Sequence, residues 1–265
     1  MTSIVAWAGI DRRGPSSIYI ASDSRISWPH GTFWDQGRKV FACINKPHIF
    51  GYWGDVLFPA LAIPVLVDRL DRGYQLDQDA SSDFSLERTV RSLWKDYPLE
   101  QRSDLGIIHA HRIGMGMGST FALKILRYSA SSQRWSTSSV PMPDKSSFLH
   151  IAGSGANAVR STRDLWQASE HSDTSRAAFS ALCEALKGKI DPKSGGAPQL
   201  CGLYRGRGAG GHMFGVTFAG QRYFAGAHLP GDDVPSDIEW RNELFELVEG
   251  KTKKRLPGAQ KHQPR

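Results

Sequence analysis

The chain has 265 residues, a formal net charge of +7 and 40% apolar residues, enough for one large domain with its own core. No window approaches the roughly 18 consecutive apolar residues of a membrane span, and the N-terminus lacks a basic, apolar signal segment, so a cytoplasmic protein without a membrane partner is expected. Cys43, Cys183 and Cys201 are odd in number and show no metal-like spacing, which fits buried thiols in a reducing compartment.

The positive charge is concentrated at one end. Lys251, Lys253, Lys254, Arg255, Lys261 and Arg265 stand in the last fifteen residues with no acid among them, so residues 1–250 keep a net charge of only +1. Residues 251–265 are too polar to pack and read as a disordered basic tail behind a single domain at 2–250. No aromatic residue interleaves these charges, so nucleic acid is not expected as a partner.

In chain order, residues 3–9 and 17–22 read as strands joined by a turn at Asp11–Pro15. Shorter strands follow at 39–44 and 48–53. Asp55 can cap a helix over 55–72, where Leu57, Leu61, Val65 and Leu66 recur at helical spacing and Pro64 predicts a kink. A loop at 77–83 leads to a helix over 85–97, whose capping box is imperfect because Glu87 follows Ser85 one place early. Strands are expected at 105–111, 119–128 and 133–139, with a Gly-Met-Gly-Met-Gly loop at 114–118 between the first two. A strand beginning at 148 stops at Gly153-Ser154-Gly155 and continues as a helix, and a second helix covers 174–188. Strands at 200–205, 213–218 and 222–226 and a last helix at 236–250 complete the pattern. Strand runs separated by helix pairs predict two sheets with helices outside rather than alternating βαβ units.

Thr2 is the first chemical candidate. A small residue after Met1 favours removal of that methionine, which leaves the threonine hydroxyl beside a free α-amine. An N-terminal amine can serve as the base that such a hydroxyl needs. Its ordinary pKa of about 7.7–8.0 leaves a neutral fraction near pH 7. The second strand ends Ala21-Ser22-Asp23-Ser24-Arg25, and Lys39 follows Asp23 by sixteen residues. A lysine beside the hydroxyl would favour its deprotonation, and a carboxylate would orient that lysine. Gly153-Ser154-Gly155 and Asp191-Pro192-Lys193-Ser194-Gly195 each read alone as turns.

Taken together in this order, the pieces resemble the proteasome β-subunit branch of the N-terminal nucleophile hydrolases, over roughly residues 2–228. Among its members the chain looks closest to the betaproteobacterial proteasome homologue. The first hairpin is longer than in typical members, the turn Tyr52-Trp53-Gly54-Asp55 lacks the usual small residues, and the chain beyond about 230 has no counterpart.

The resemblance implies an α+β fold, a four-layer αββα sandwich of two antiparallel sheets flanked by helices. It implies a threonine-type endopeptidase with Thr2 as nucleophile, Lys39 and Asp23 activating it, Gly54 stabilising the oxyanion, and Ser154, Asp191 and Ser194 around the amine. Ser27 would align substrate as an added strand, and Ile26, Gly37, Phe41 and Tyr52 would form the specificity pocket. It implies a homo-oligomer of stacked rings acting on peptides or unfolded proteins, with no cofactor and no metal. An unfoldase would have to be a separate ATPase, since the chain carries no ATPase motif. Two other readings stay open: an amidohydrolase acting on a small amide with the same machinery, and a silent ring scaffold.

Two further motifs are read as structural. Gly206–Gly211 matches a dinucleotide fingerprint but lies between two strands, so it reads as a hairpin loop. His109 and His111 share a strand face and could bind metal, but no third ligand is evident from sequence, which favours a structural role.

Overall fold

The computed structural model describes residues 2–74, 82–206, 208–231 and 234–259. The strands in chain order are β1 (Ile4–Asp11), β2 (Gly14–Ser22), β3 (Ile26–Ser27), β4 (Phe33–Trp34), β5 (Val40–Ala42) and β6 (His48–Gly54). Helices α1 (Leu57–Asp71) and α2 (Ser82–Lys95) follow, then β7 (Leu105–Ile113), β8 (Thr120–Ser129), β9 (Arg134–Val140) and β10 (Ser147–Ala152). Next come α3 (Ala156–Gln167), α4 (Ser175–Lys187), β11 (Gln199–Tyr204), β12 (His212–Phe218), β13 (Gln221–Phe224), β14 (Ala227–His228), β15 (Trp240–Asn242) and β16 (Leu247–Val248). The result is a mixed α/β fold of mainly antiparallel sheets with four α-helices among the described residues.

The larger sheet runs β10-β1-β2-β11-β12-β13-β14, and the smaller runs β5-β6-β7-β8-β9. Successive side chains of a strand point to opposite faces, and in β1 both faces are covered. Val5 and Trp7 join Tyr19, Ala178, Phe179 and Leu182 in a core against α4. Ile4 and Ala6 join Ile18, Ile20, Val40, Ile49 and Ile108 in a second core between the two sheets. This is why β1 reads as an unbroken apolar run. A third core places Phe41, Phe50, Tyr52 and Ile107 of the smaller sheet against Phe58, Ile63 and Leu66 of α1 and Val90 and Trp94 of α2.

Two expectations are corrected. Residues 236–250 do not form a helix: β15 pairs in parallel with β12, and β16 turns back on β15. The turn between them is built by Asn242, whose side-chain oxygen accepts the Leu244 and Glu246 N–H groups. It also requires Phe245 at φ +61°, outside any right-handed helix. This local bonding, with Trp240 buried, outweighs the helical spacing of apolar residues. The start of the basic tail is also tied down. Glu249 accepts the Lys251 and Thr252 N–H groups, Leu256 N–H donates to Leu247, and Arg222 donates to the Lys251 carbonyl. Lys261 and Arg265, Met1 and most of the 77–83 loop lie outside the described residues, as do the side chains at the expected Ser85 cap.

Helix α1 carries Pro64 within its span, and Asp55 accepts the Phe58 N–H at 3.3 Å at its start. The Gly206–Gly211 run, apart from Arg207, connects antiparallel β11 and β12 and is not followed by a helix.

Candidate active site

One end of the larger sheet gathers the chemistry. Ile4 at the head of β1 pairs with Ser22 at the end of β2 and with Ala152 at the end of β10. The residues just beyond those three strand ends are therefore neighbours: Thr2 and Ser3, Asp23, and Gly153-Ser154-Gly155. Close approach explains the glycines. A Cβ on Gly153, which sits at φ +89°, would lie 1.9 Å from the Thr2 carbonyl oxygen. A Cβ on Gly155 would lie 1.9 Å from Ser3 Oγ. The elbow thus lets the α3 start close on Thr2, and Gly155 N–H donates to Thr2 O at 3.2 Å.

Thr2 is buried, and its backbone nitrogen donates to Ser154 Oγ at 3.2 Å. Ser154 Oγ and Ser194 Oγ each donate to Asp191 Oδ2 at 2.8 Å. Ser3 Oγ joins this group by donating to Ser194 Oγ at 2.9 Å. Burial pushes the Asp191 carboxyl up, but the hydrogen bonds from Ser194, Ser154 and the Lys193 N–H outweigh it and hold the group below its ordinary value.

The second half of the site is an ion pair with no solvent exposure on either side chain. Lys39 Nζ lies 2.8 Å from Asp23 Oδ1 and also donates to the Arg25 carbonyl at 2.5 Å. Asp23 Oδ1 also accepts the Ser3 N–H at 3.0 Å, while Oδ2 accepts the Gly195 and Arg25 N–H groups at 3.0 and 3.2 Å. The pair is thus linked to the residue next to Thr2 and to the 191–195 turn. Burial pulls the Lys39 ammonium below its ordinary value, with the Asp23 charge pulling the other way.

Ser27 and Ile26 form β3, half-buried at the rim, where Ser27 Oγ reaches the Lys193 carbonyl at 3.5 Å. Gly37 packs against Ile26, whose Cδ1 would be 2.4 Å from a Cβ there. Phe41 and Tyr52 lie deeper, buried in the core under α1, and the Tyr52 hydroxyl donates to the Arg38 carbonyl at 3.0 Å. Gly54 closes β6 at φ +86°, where a Cβ would meet Asp104 O at 2.3 Å. Gly54 and Ser154 line one open cavity of about 570 Å³ with Trp53, Arg127, Asn157 and Arg160.

Several members of the cluster were not singled out from sequence. Ser3 was read only as the start of a strand. Gln199 braces the Lys39 end: its side-chain oxygen accepts the Lys39 N–H at 2.8 Å and its amide donates to the Asp23 and Gly37 carbonyls. Asp35 holds Arg25 through two hydrogen bonds of 2.7 and 2.8 Å. A glutamine opening an apolar strand was the available signal for Gln199. Among the described residues, the side chains named in this site are hydroxyls, carboxylates, an ammonium, a guanidinium and an amide, with no imidazole or thiol. A group of three imidazoles, His48, His109 and His111, meets elsewhere on the smaller sheet.

No protein-family model matches the sequence, and no curated protein matches it. Among solved structures the chain is similar to eukaryotic HslV from Trypanosoma brucei, at 12% identity over 76% of this chain and 99% of that one, with a TM-score of 0.47.

Proposed function

We propose that the protein is a threonine-type peptidase of the proteasome β-subunit kind, with Thr2 as its N-terminal nucleophile. The observation that carries this reading is the position of the Thr2 nitrogen on Ser154 Oγ, inside one network with Asp191 and Ser194, beside the buried Lys39–Asp23 pair.

While Met1 is attached, the Thr2 nitrogen is an amide and has no basic lone pair. Loss of Met1 is therefore the first requirement. The freed amine then accepts the Thr2 hydroxyl proton as Oγ bonds to the substrate carbonyl carbon, whose π electrons move to oxygen. Collapse of that adduct expels the substrate amine, which leaves with the proton, and water hydrolyses the Thr2 ester to restore the hydroxyl. Lysine has three N–H donors. Two of those of Lys39 go to Asp23 and the Arg25 carbonyl, and the third is assigned to Thr2 Oγ. Ser154, Ser194 and Asp191 orient the amine. Gly54 is assigned to the oxyanion, a kind of contact worth about 10²–10³ in rate. Ser27 would align an extended peptide by strand addition. Ile26 would line its side-chain pocket, with Phe41 and Tyr52 supporting that wall from the core.

The finer assignments belong to the same proposal. The three cores fit a four-layer αββα order, a homo-oligomer of stacked rings would enclose the sites, and peptides or unfolded chains would be the substrates. A separate ATPase would supply unfolding, the compartment would be the cytoplasm, and the betaproteobacterial proteasome homologue would be the nearest type.

Intact mass combined with labelling by a peptide electrophile that targets N-terminal nucleophiles tests the core of this reading. A mature chain beginning at Thr2 and bearing one adduct there is the expected result. A mature chain that retains Met1 overturns it. Native mass then separates a ring from the small-amide alternative: a large particle fits the compartment, and a monomer or dimer fits the amidohydrolase.

A further inference from the structure

The three imidazoles noted on the smaller sheet come together through strand register. His48 opens β6 and faces His111 on β7, and His109 stands two residues along β7 opposite Phe50. Phe50 belongs to the core under the helices, while Ile49, Ile108 and Ala110 belong to the core between the sheets. The alternation puts His48, Phe50, His109 and His111 on one face, the helix side. His109 and His111 are buried and His48 is half-buried at the edge of the group.

We propose that His48, His109 and His111 form a binding site for one divalent transition-metal ion of the zinc class. One ring nitrogen from each lies within 4.8 Å of the other two, and His48 Nδ1 and His109 Nε2 are 2.9 Å apart. The ring centres are separated by 5.0, 5.2 and 5.6 Å. Imidazoles bound to one ion at about 2.1 Å would place their ring centres about 5 Å apart. Gathering the three nitrogens around an ion therefore needs ring rotation more than backbone movement. Phe50 stacks on the His109 ring at 4.7 Å and 14° and restrains it.

The chemistry of the donors agrees. His109 meets His48 through Nε2, while its Nδ1, on the far side of the ring, is buried with no hydrogen-bond partner among the described residues and is not the nitrogen offered to the ion. Imidazole favours zinc, copper and nickel over calcium or magnesium. Three protein ligands leave a fourth position for water. The opposing feature is Lys124, which faces His109 from β8 and adds a positive charge beside the site. With no carboxylate among the three ligands, that charge limits affinity.

This site is distinct from the proposed hydrolytic one. His48 and Gly54 occupy opposite ends of β6, about 20 Å apart at strand spacing. A bound ion would clamp β6 to β7 without touching Thr2.

Full-length protein stripped with chelator and titrated with Zn²⁺, then with Co²⁺, tests the proposal. One ion per chain, a raised thermal midpoint and the visible absorption of low-symmetry Co²⁺ are expected. His48→Gln, a change at the half-buried edge that leaves the buried pair in place, should weaken binding at least about tenfold. Lys124→Gln should tighten it by relieving the opposing charge. Less than one ion per chain at saturating Zn²⁺, or binding that His48→Gln leaves unchanged, would show a hydrogen-bonded histidine cluster only and overturn the site.

Discussion

Two polar clusters buried among the described residues solve the same problem in opposite ways. Around Thr2 the buried groups are charged and heavily bonded: Asp23 accepts Lys39 Nζ and three backbone N–H groups. Around His109 the buried groups are imidazoles stacked on one another and on Phe50, and burial holds the His109 ring well below its ordinary pKa. A buried charge costs far too much to leave alone, so it must be saturated. A buried imidazole escapes that cost by losing its proton, and can therefore keep a nitrogen in reserve. Saturation fixes geometry, as a proposed nucleophile requires. Reserve leaves room for a ligand.

The largest effect that tests this contrast is on turnover. Thr2→Ala removes the proposed nucleophile while leaving every hydrogen bond of Asp23 and Asp191 described above. It should lower kcat by at least about 10³-fold with little change in the urea midpoint. Peptidase assays beside equilibrium unfolding check both halves, and normal activity in this variant would refute the assignment of Thr2.

Next in size is stability. Lys39→Ala strands Asp23 as an uncompensated buried carboxylate, and breaking such a pair costs about 3–5 kcal/mol. His109→Phe removes an imidazole and replaces it with a ring that can stack on Phe50. The half-buried His48 can then turn its nitrogen to water, so the change should stay within about 1 kcal/mol. Chemical unfolding of the two variants measures the contrast directly. Similar losses in both would mean that the clusters do not differ in the way described.

How much of this was legible in sequence follows from where the information sits. Short apolar, β-branched runs bounded by turns are local patterns, and the strands from Ile4 to Ser22 and from Leu105 to Val140 were readable from them. The Asp23–Lys39 spacing was legible because both residues lie at strand ends joined by a short excursion. Residues 236–250 misled because apolar spacing there fits a helix, while the deciding bonds come from Asn242 and from β12, which lies far away in sequence. His48 was missed for the related reason that it precedes His109 by 61 positions. Only the β6–β7 register, which no local window contains, places it opposite His111. Ser3 and Gln199 were missed because polar residues beside apolar strand runs look like ordinary strand termini until the partner ends are known.

The smallest expected effect concerns Asp191 and acid. Its carboxyl is held below the ordinary value, so the folded chain binds that proton less readily than the unfolded chain. The stability it contributes is present in full above the unfolded value of about 3.9 and is lost as pH falls through the folded value. Relative to Asp191→Asn, the wild-type chain should therefore lose its advantage in unfolding midpoint as pH drops below about 4. A difference that stays constant from pH 7 to pH 3 would show that the carboxyl is not held low. The cause can be separated as well. Burial alone pushes this carboxyl up, and the Ser194 and Ser154 hydroxyls are the two largest opposing influences. In a Ser154→Ala/Ser194→Ala background the same pH comparison should flatten or change sign. An unchanged slope there would move the stabilisation of Asp191 away from the hydroxyls that link it to Thr2, and with it the reason for placing Asp191 in the amine's network.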